Sequence, residues 1–423
     1  MKPGNLLLIT FTLLTLWACS GPTATIPDTA SMRAEMETDV EFLASDELEG
    51  RETGQPGAYR AADYIVERMQ EIGLKPMGDN GTWFQSFSVG GANNPHEVDF
   101  TEASDSSINA RNVIGYLDHG AQQTVVIGAH YDHLGYGDDF GSLHTGEREI
   151  HNGADDNASG VAAMLQLARI LKTQHTQHNY LFIAFTGEEK GLWGSNYFSK
   201  NPTIDLDQVN YMLNLDMVGR LNEERKLSVN AVGTAPQWVP ALDAISVDSI
   251  EIVTTEGGIG GSDHTSFYLQ EVPALHFFTG QHEHYHKPSD DAHLVNYDGM
   301  VSVVKFIAAL IGELEDDGTL VWQETDQPDR MARDFKVTLG VMPDYLYTDE
   351  GMRIDGVRDG RPAANGGLEK GDIVLKMGDV EVKDMQGYME ALNQFQPGQQ
   401  ITVVIKRGDA VIEKQITFAN SEG

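Results

Sequence analysis

Apolar residues recur at two different periods along this chain, and the switching between them outlines a layered fold. In "AADYIVERMQEIG", Ala62, Ile65, Met69 and Ile72 fall three and four apart, giving one apolar helix face, and Gly73 follows as a stop. The helix after "HNGADDNASG" has the same character: Val161, Met164, Leu165, Ala168 and Leu171 share one face, while Gln166, Arg169 and Lys172 fall elsewhere. Short runs rich in Val, Ile and Phe, at "NVIGYL", "TVVIGAH", "YLFIAFT", "VNYMLNLD" and "VPALHFF", read as strands, and helical patterns separate most of them. Strands alternating with helices predict an α/β fold with a mixed, largely parallel sheet and helices on both faces. Ligands in such folds bind at the carboxyl ends of strands, and "HNGADDNASG" is a strand-to-helix loop.

The pattern changes after the long helix pattern "MVSVVKFIAALIGEL". The next segment, "EDDGTLVWQETDQPDR", is acidic and polar and contains Pro328, which predicts a first domain over 32–315 and a linker over 316–331. From 332 to 419 come short alternating strands, Gly-rich turns and one helix around "MQGYMEALNQF", enough for a second, compact, β-rich domain. At the other end, "MKPGNLLLITFTLLTLWACSG" has a basic start at Lys2 and an apolar stretch too short to cross a bilayer comfortably, so residues 1–19 read as a secretory signal. Leu16-Trp17-Ala18-Cys19 resembles the bacterial lipobox, with Trp17 atypical at its position; Cys19 would then be lipidated. A simple signal peptide with an incidental cysteine is the alternative. Residues 20–31, small, polar and Pro-containing, read as a tether. Ser20 directs the expectation to an outer-membrane or surface lipoprotein of the bacterial cell envelope, touching membrane through its lipid anchor only.

Composition removes other options. Cys19 is the single cysteine, so neither an internal disulfide nor a Cys-based zinc knuckle can form. With 64 acidic against 29 basic residues, a formal charge of -35, the chain lacks the clustered cations that a nucleic-acid partner requires.

Five predicted strand ends finish in groups that bind hard metals or move protons. "IGAHYDHLG" contributes His130 and Asp132, "GADDNASG" Asp155 and Asp156, "FTGEEKGLWGS" Glu188 and Glu189, "NLDMVG" Asp216, and "HEHYHKPSDD" His286. Singly, each has a bland reading: an Asp opening a helix is usually a cap, a Glu pair in a loop is usually solvated, and a lone His is usually a hydrogen-bonded structural residue. Recurrence at one edge of successive strand units points instead to a shared site. Two imidazoles and three carboxylates suit a pair of borderline divalent cations such as zinc, one carboxylate bridging both. On a strand, residues i and i+2 share a face, so Asp132 is expected to accept a hydrogen bond from the far nitrogen of His130. Glu188-Glu189 offers one carboxylate to a metal and another to a proton.

These motifs resemble the co-catalytic dizinc aminopeptidases, metallopeptidase family twenty-eight, related to glutamate carboxypeptidase and glutaminyl cyclase. The resemblance implies the zinc-exopeptidase, phosphorylase/hydrolase-like fold and two zinc ions per chain. By motif, His130, Asp156 and Asp216 would hold one ion, and Asp156, Glu189 and His286 the other. It further implies Glu188 as general base and Tyr285 as hydrogen-bond donor to the developing oxyanion. Ser262, Asp263 and His264 match a stretch beside the family's substrate pocket, whereas "EGGIG" lacks the tyrosine that some members carry there. His282 and His284 have no family counterpart and read as solvent-exposed loop residues. The implied activity is removal of N-terminal residues from peptides with a free N-terminus; a carboxypeptidase would want an Arg clamp, and none is evident.

In the second domain, "FKVTLGVMPDY", "GVRDGRPAANGGLEKGDIVLKMGDVEV" and "QQITVVIKRG" resemble a PDZ domain of the bacterial protease type. Leu339, Gly340 and Val341 match the turn whose amides capture a peptide's terminal carboxylate. The implied partner is a peptide C-terminus or extended strand, and the bland alternative is a packing module with a closed groove. Two competing functions are a glutaminyl-cyclase-like acyltransferase with one metal and a non-catalytic surface peptide-binding lipoprotein.

Overall fold

The computed structural model describes residues 28–90, 100–104, 107–138, 141–325, 336–344, 346–347, 349–358 and 360–419. The signal, Cys19, residues 20–27 of the tether and the end of the linker lie outside them, and the last residues of the expected tether, from Thr29, already belong to the first helix.

The first unit begins with helices α1 (Thr29–Leu43) and α2 (Pro56–Ile72), and α2 stops where predicted, with Gly73 in the left-handed conformation. Strands β1 (Lys75–Pro76), β2 (Phe84–Val89), β3 (Phe100–Thr101), β4 (Ile108–Leu117) and β5 (Thr124–His130) follow. Next come α3 (Gly160–Leu171), β6 (Asn179–Phe185), α4 (Trp193–Lys200), β7 (Val209–Leu215), β8 (Lys226–Asn230) and α5 (Trp238–Ala244). Strand β9 (Glu251–Thr255), α6 (His264–Tyr268), β10 (Ala274–Phe278) and α7 (Tyr297–Leu314) complete it.

The strands form one mixed sheet in the order β3-β2-β4-β6-β5-β7-β10-β8-β9, with β1 beside β4. Its centre is parallel, with β6, β5, β7 and β10 running together; β4 pairs antiparallel with β6, and β8 with β10, while β9 pairs parallel with β8. Strand β5 explains why the centre is apolar throughout. Val125, Ile127 and Ala129 face the layer of α1, α2, α3, α5 and α7, while Val126 faces the opposite layer with Phe198 of α4 and Phe267 of α6. A strand covered on both faces has no polar position to spare, which is why its hydrophobic run is continuous.

The first unit extends past the expected boundary at 315. Leu320 is buried in its core, and its N–H donates to Asn210 Oδ1 at 2.8 Å, while Thr325 N donates to Tyr268 Oη of α6 at 3.0 Å, so residues through Thr325 pack on the first unit. No helix among the described residues is long and apolar enough to cross a membrane.

The second unit comprises β11 (Val341–Pro343), β12 (Met352–Val357), α8 (Pro362–Asn365), β13 (Ile373–Met377), β14 (Val380–Glu381), α9 (Met385–Leu392), β15 (Gln400–Arg407) and β16 (Ala410–Thr417). Its sheet runs β11-β12-β13-β15-β16, with β14 beside β13, around a core that includes Leu339, Ile354, Val374, Val403 and Phe418. It meets the first unit at Arg358, whose Nη2 donates to Ser142 O at 3.3 Å.

Candidate metal centre

Because β6, β5, β7 and β10 are parallel neighbours, their carboxyl ends share one edge, and five chain segments deliver side chains there. Strand β5 ends at His130, β6 runs on into Glu188 and Glu189, β7 into Asp216, and the loop after β10 carries His286. Asp156 comes from an irregular turn, Ala154–Ser159, ahead of α3.

His130 Nε2 lies 3.4 Å from Asp156 Oδ1 and 3.2 Å from Asp216 Oδ1. On the other side, His286 Nε2 lies 3.2 Å from Asp156 Oδ2 and 3.2 Å from Glu189 Oε2. Asp156 thus turns one oxygen to each group, as a bridging carboxylate must. His130, Asp156 and Asp216 form one cluster with ligand atoms within 4.8 Å of one another, and His133, Asp156 and Glu189 form another. Glu188 Oε2 stands 4.0 Å from His130 Nε2, beside the first cluster.

So much ionisable chemistry out of water needs balancing charge. Burial works against a charge on His130, but Asp216, Glu188 and Asp156 outweigh it and hold its pKa well above the usual imidazole value. Burial lifts Asp156 and Glu189 in the same way, yet the imidazoles prevail: Asp156 is held well below the carboxylate range and Glu189 is pulled down to about 2. Glu188 goes the other way, raised well above its usual value by burial and by Asp216, Glu189 and Asp263, against the pull of His130. The donor set fits divalent cations: buried imidazole nitrogens and carboxylate oxygens converge in two overlapping groups, the combination that borderline ions such as zinc favour.

The surroundings hold these groups in place. Ser262 Oγ donates to Asp216 Oδ2 at 2.7 Å and accepts from Asn214 Nδ2 at 2.8 Å. Asp155 is not a free cap: its Oδ1 accepts from Gly219 N at 2.6 Å and from Ser159 Oγ at 3.0 Å. Asn157 joins the turn to β7, donating to Leu215 O at 2.9 Å and accepting from Met217 N at 3.1 Å. Tyr285 stacks on His286 with ring centroids 3.8 Å apart and, with Asp216, Met217, His264, His276 and Phe278, lines a cavity of about 370 Å³.

Two expectations need correction. The Asp132 carboxylate is 3.8 Å from His130 Nδ1, beyond hydrogen-bond reach; the nearer acceptor is the Asp132 backbone carbonyl at 3.3 Å. The strand has ended at His130, so the i, i+2 face rule no longer applies there, and the Asp132 carboxylate instead accepts from Thr53 Oγ1 at 2.9 Å and Glu188 N at 3.2 Å. His282 is not a solvated loop residue, because its Nε2 sits 3.2 Å from Asp155 Oδ2.

Three further residues belong to the site. His133 is buried, with Nδ1 2.7 Å from Glu189 Oε1 and Nε2 without a hydrogen-bond partner. Its signal was present in "HYDHLG", where a second imidazole follows the first by three residues. Asp290 Oδ2 accepts from the N–H groups of Asp155 and Asp156 at 2.9 and 3.1 Å. Arg51, only 1% exposed, donates to the carbonyls of Leu43, Tyr131, Asn152 and Gly153. Nothing in "DELEGRETG" marked it, since its acceptors are all main-chain atoms remote in sequence.

Residues 112–311 match the sequence profile of peptidase family M28, and residues 333–417 that of the PDZ domain. Among curated proteins, the aminopeptidase YwaD of Bacillus subtilis is 31% identical over 176 residues, 38% of this chain and 37% of that protein. A probable leucine aminopeptidase of Arthroderma otae is 27% identical over 268 residues, 60% of this chain and 65% of that protein. The chain therefore spans less than two thirds of either relative. Among solved structures, a Zn-dependent exopeptidase from Parabacteroides distasonis superposes with a TM-score of 0.53 at 19% identity, over 68% of this chain and 99% of that one. A glutaminyl cyclase from Porphyromonas gingivalis gives 0.52 at 18%, over 68% and 99%. At these identities the structural likeness is one of fold.

Proposed function

Because the chain carries a peptidase family M28 domain followed by a PDZ domain, we propose that it is a metal-dependent aminopeptidase that uses two zinc ions and Glu188 as general base. The observation that carries this reading is Asp156, whose two oxygens face two separate groups of imidazole and carboxylate donors. His130, Asp156 and Asp216 would hold one ion; Asp156, Glu189 and His286 would hold the other, with His133 fixing Glu189 from behind. When bound, the ions supply Lewis acidity that polarises the scissile carbonyl and lowers the pKa of water.

The chain's own residues supply the rest. Glu188, whose pKa burial and neighbouring carboxylates raise, is suited to take a proton from water and return it to the leaving amine. Tyr285, held against His286 by stacking, points the reading to a phenol hydrogen bond for the oxyanion. The cavity of about 370 Å³ beside Asp216 and Tyr285 would take the side chain of the first residue, and Asp216 on its wall favours a free α-amino group. Family relatives named as aminopeptidases support the same reading. Two donor groups favour it over a one-metal acyltransferase, which would turn a glutaminyl peptide into its cyclised form without shortening it.

Glu188→Gln tests the assignment. It keeps size and hydrogen-bonding capacity but cannot accept the proton, so kcat is expected to fall about 100-fold or more while the metal content by mass spectrometry stays that of the wild type. Near wild-type turnover in that variant would remove Glu188 from the mechanism.

A further inference from the structure

Leu346 is buried, only 6% exposed, yet it belongs to the hydrophobic core of neither unit. It stands in the turn after β11, where its N–H donates to Asp344 Oδ1 at 2.9 Å, and Arg353 Nε donates to the other oxygen of Asp344 at 2.7 Å. What reaches it from outside is the first unit. Gly280, at φ +100, comes so near that a Cβ on it would stand 2.8 Å from Leu346 Cδ1. Only glycine suits both that backbone and that approach, so the "FFTGQH" stretch after β10 provides the seat for Leu346.

Gly280 opens the loop that runs to Tyr285 and His286. That loop is gripped again at its far end. Leu143 N donates to His286 O at 2.9 Å, and His286 Nδ1–H donates to Gly141 O at 2.8 Å, which leaves Nε2 its lone pair, facing Asp156 and Glu189. His286 needs the hold, because its φ of +53 lies in the left-handed region that a residue with a side chain occupies at a cost. The gripping segment is itself tied to the second unit, where Arg358 Nη2 donates to Ser142 O at 3.3 Å.

Two contacts from the second unit therefore bear on the two segments that fix one candidate metal ligand: Leu346 at the start of its loop, and Arg358 on the segment that grips its end. We propose that the second unit is a structural part of the metal centre, with Leu346 and Arg358 as positioning residues that brace the loop carrying Tyr285 and His286. Neither side chain can ligate a cation or move a proton in the reaction; both act through the backbone on which His286 stands. The consequence for the second ion rests on the two-ion reading, whereas the bracing does not.

Zinc titration of the full chain against a chromogenic chelator reads the affinity of each ion, and His286→Ala identifies the step that belongs to the second. In the double variant Leu346→Ala, Arg358→Ala the second ion is expected to bind about tenfold more weakly, with the first unchanged. Leu346→Met, which keeps the volume, and Arg358→Lys, which keeps a cationic donor, should each stay near the wild type. Amide exchange of the metal-free protein, followed by mass spectrometry, separates the bracing from the two-ion reading: in the double variant, peptides covering 280–287 should exchange about tenfold faster, and those covering α3 at the wild-type rate. Unchanged exchange over 280–287, an equal rise in α3, or a second ion held as tightly as in the wild type would overturn the proposal. Faster exchange confined to 280–287, in a protein whose wild type takes up a single ion, would support the bracing and remove the two-ion reading.

Discussion

Arg51 makes no ion pair among the described residues, yet its guanidinium is held wholly inside the protein by four carbonyls. Burial pulls its pKa down to about 10, and the pull of Asp156, Asp132, Asp290 and Glu189 works in the opposite direction. Its acceptors lie at the end of α1, just past β5 and just ahead of the Asp155-Asp156 turn, so one side chain ties together the segments that carry His130 and Asp156. Arg51→Met takes this donor from the Leu43, Tyr131 and Asn152 carbonyls, while Gly153 O keeps Ala158 N, and urea unfolding should show a loss of about 3 kcal/mol; a loss under about 1 kcal/mol would mean that water replaces the side chain. His151 gives a pH signature at the same scale. Burial holds its pKa down to about 4, helped by His133, His144 and His286 and opposed by the Glu149 carbonyl. Between about pH 6.5 and that value the unfolded chain binds a proton that the folded ring refuses, so stability falls as pH falls through this window. In His151→Gln that part of the slope should vanish, as urea midpoints at pH 5 and pH 7 would show. The candidate donors His130, Glu188, Glu189 and Asp216 were legible in the sequence because each closes or follows a recognisable strand pattern, and Asp156 because it heads a clear helix pattern. Arg51 and Asp290 were not, since each acts through contacts that only the folded chain creates, while His133 stood in plain view in "HYDHLG" and was passed over.

At the level of elements, the turn Ala154–Ser159 joins the metal-binding edge to α3. Gly160 opens that helix, and a Cβ on it would run into Asn157 Oδ1 and the Leu215 carbonyl at the end of β7. Gly160→Ala should therefore push α3 away from β7 and weaken zinc binding about tenfold, read by competition with a chromogenic chelator; unchanged affinity would show that the turn positions Asp156 without help from α3. Periodicity revealed α2, α3 and α7 and the central strands, because both faces of a parallel core strand demand apolar residues. It could not reveal the antiparallel flanks or the packing of Leu320 beyond the last long helix, since short strands and single anchoring residues carry no period. The fate of Asp132 has the same origin: strand geometry ends at His130, two residues short of it.

For the whole molecule, two units meet through the loop that carries Gly141, Ser142 and Leu143, with His286 on one side and Arg358 on the other. A sequence reading could assign each unit separately, but the meeting of the two depends on loops whose composition says nothing of their partners. The central claim is that the donor groups around Asp156 make this chain a two-metal enzyme acting on free N-termini. The most direct measurement combines metal content per chain with turnover of an aminoacyl reporter offered with its amine free or N-acetylated. The account predicts two zinc ions per chain, cleavage of the free form, negligible cleavage of the acetylated form, and loss of activity on chelation that zinc restores. Two bound ions with no cleavage of the free form, or equal cleavage of both forms, would contradict it.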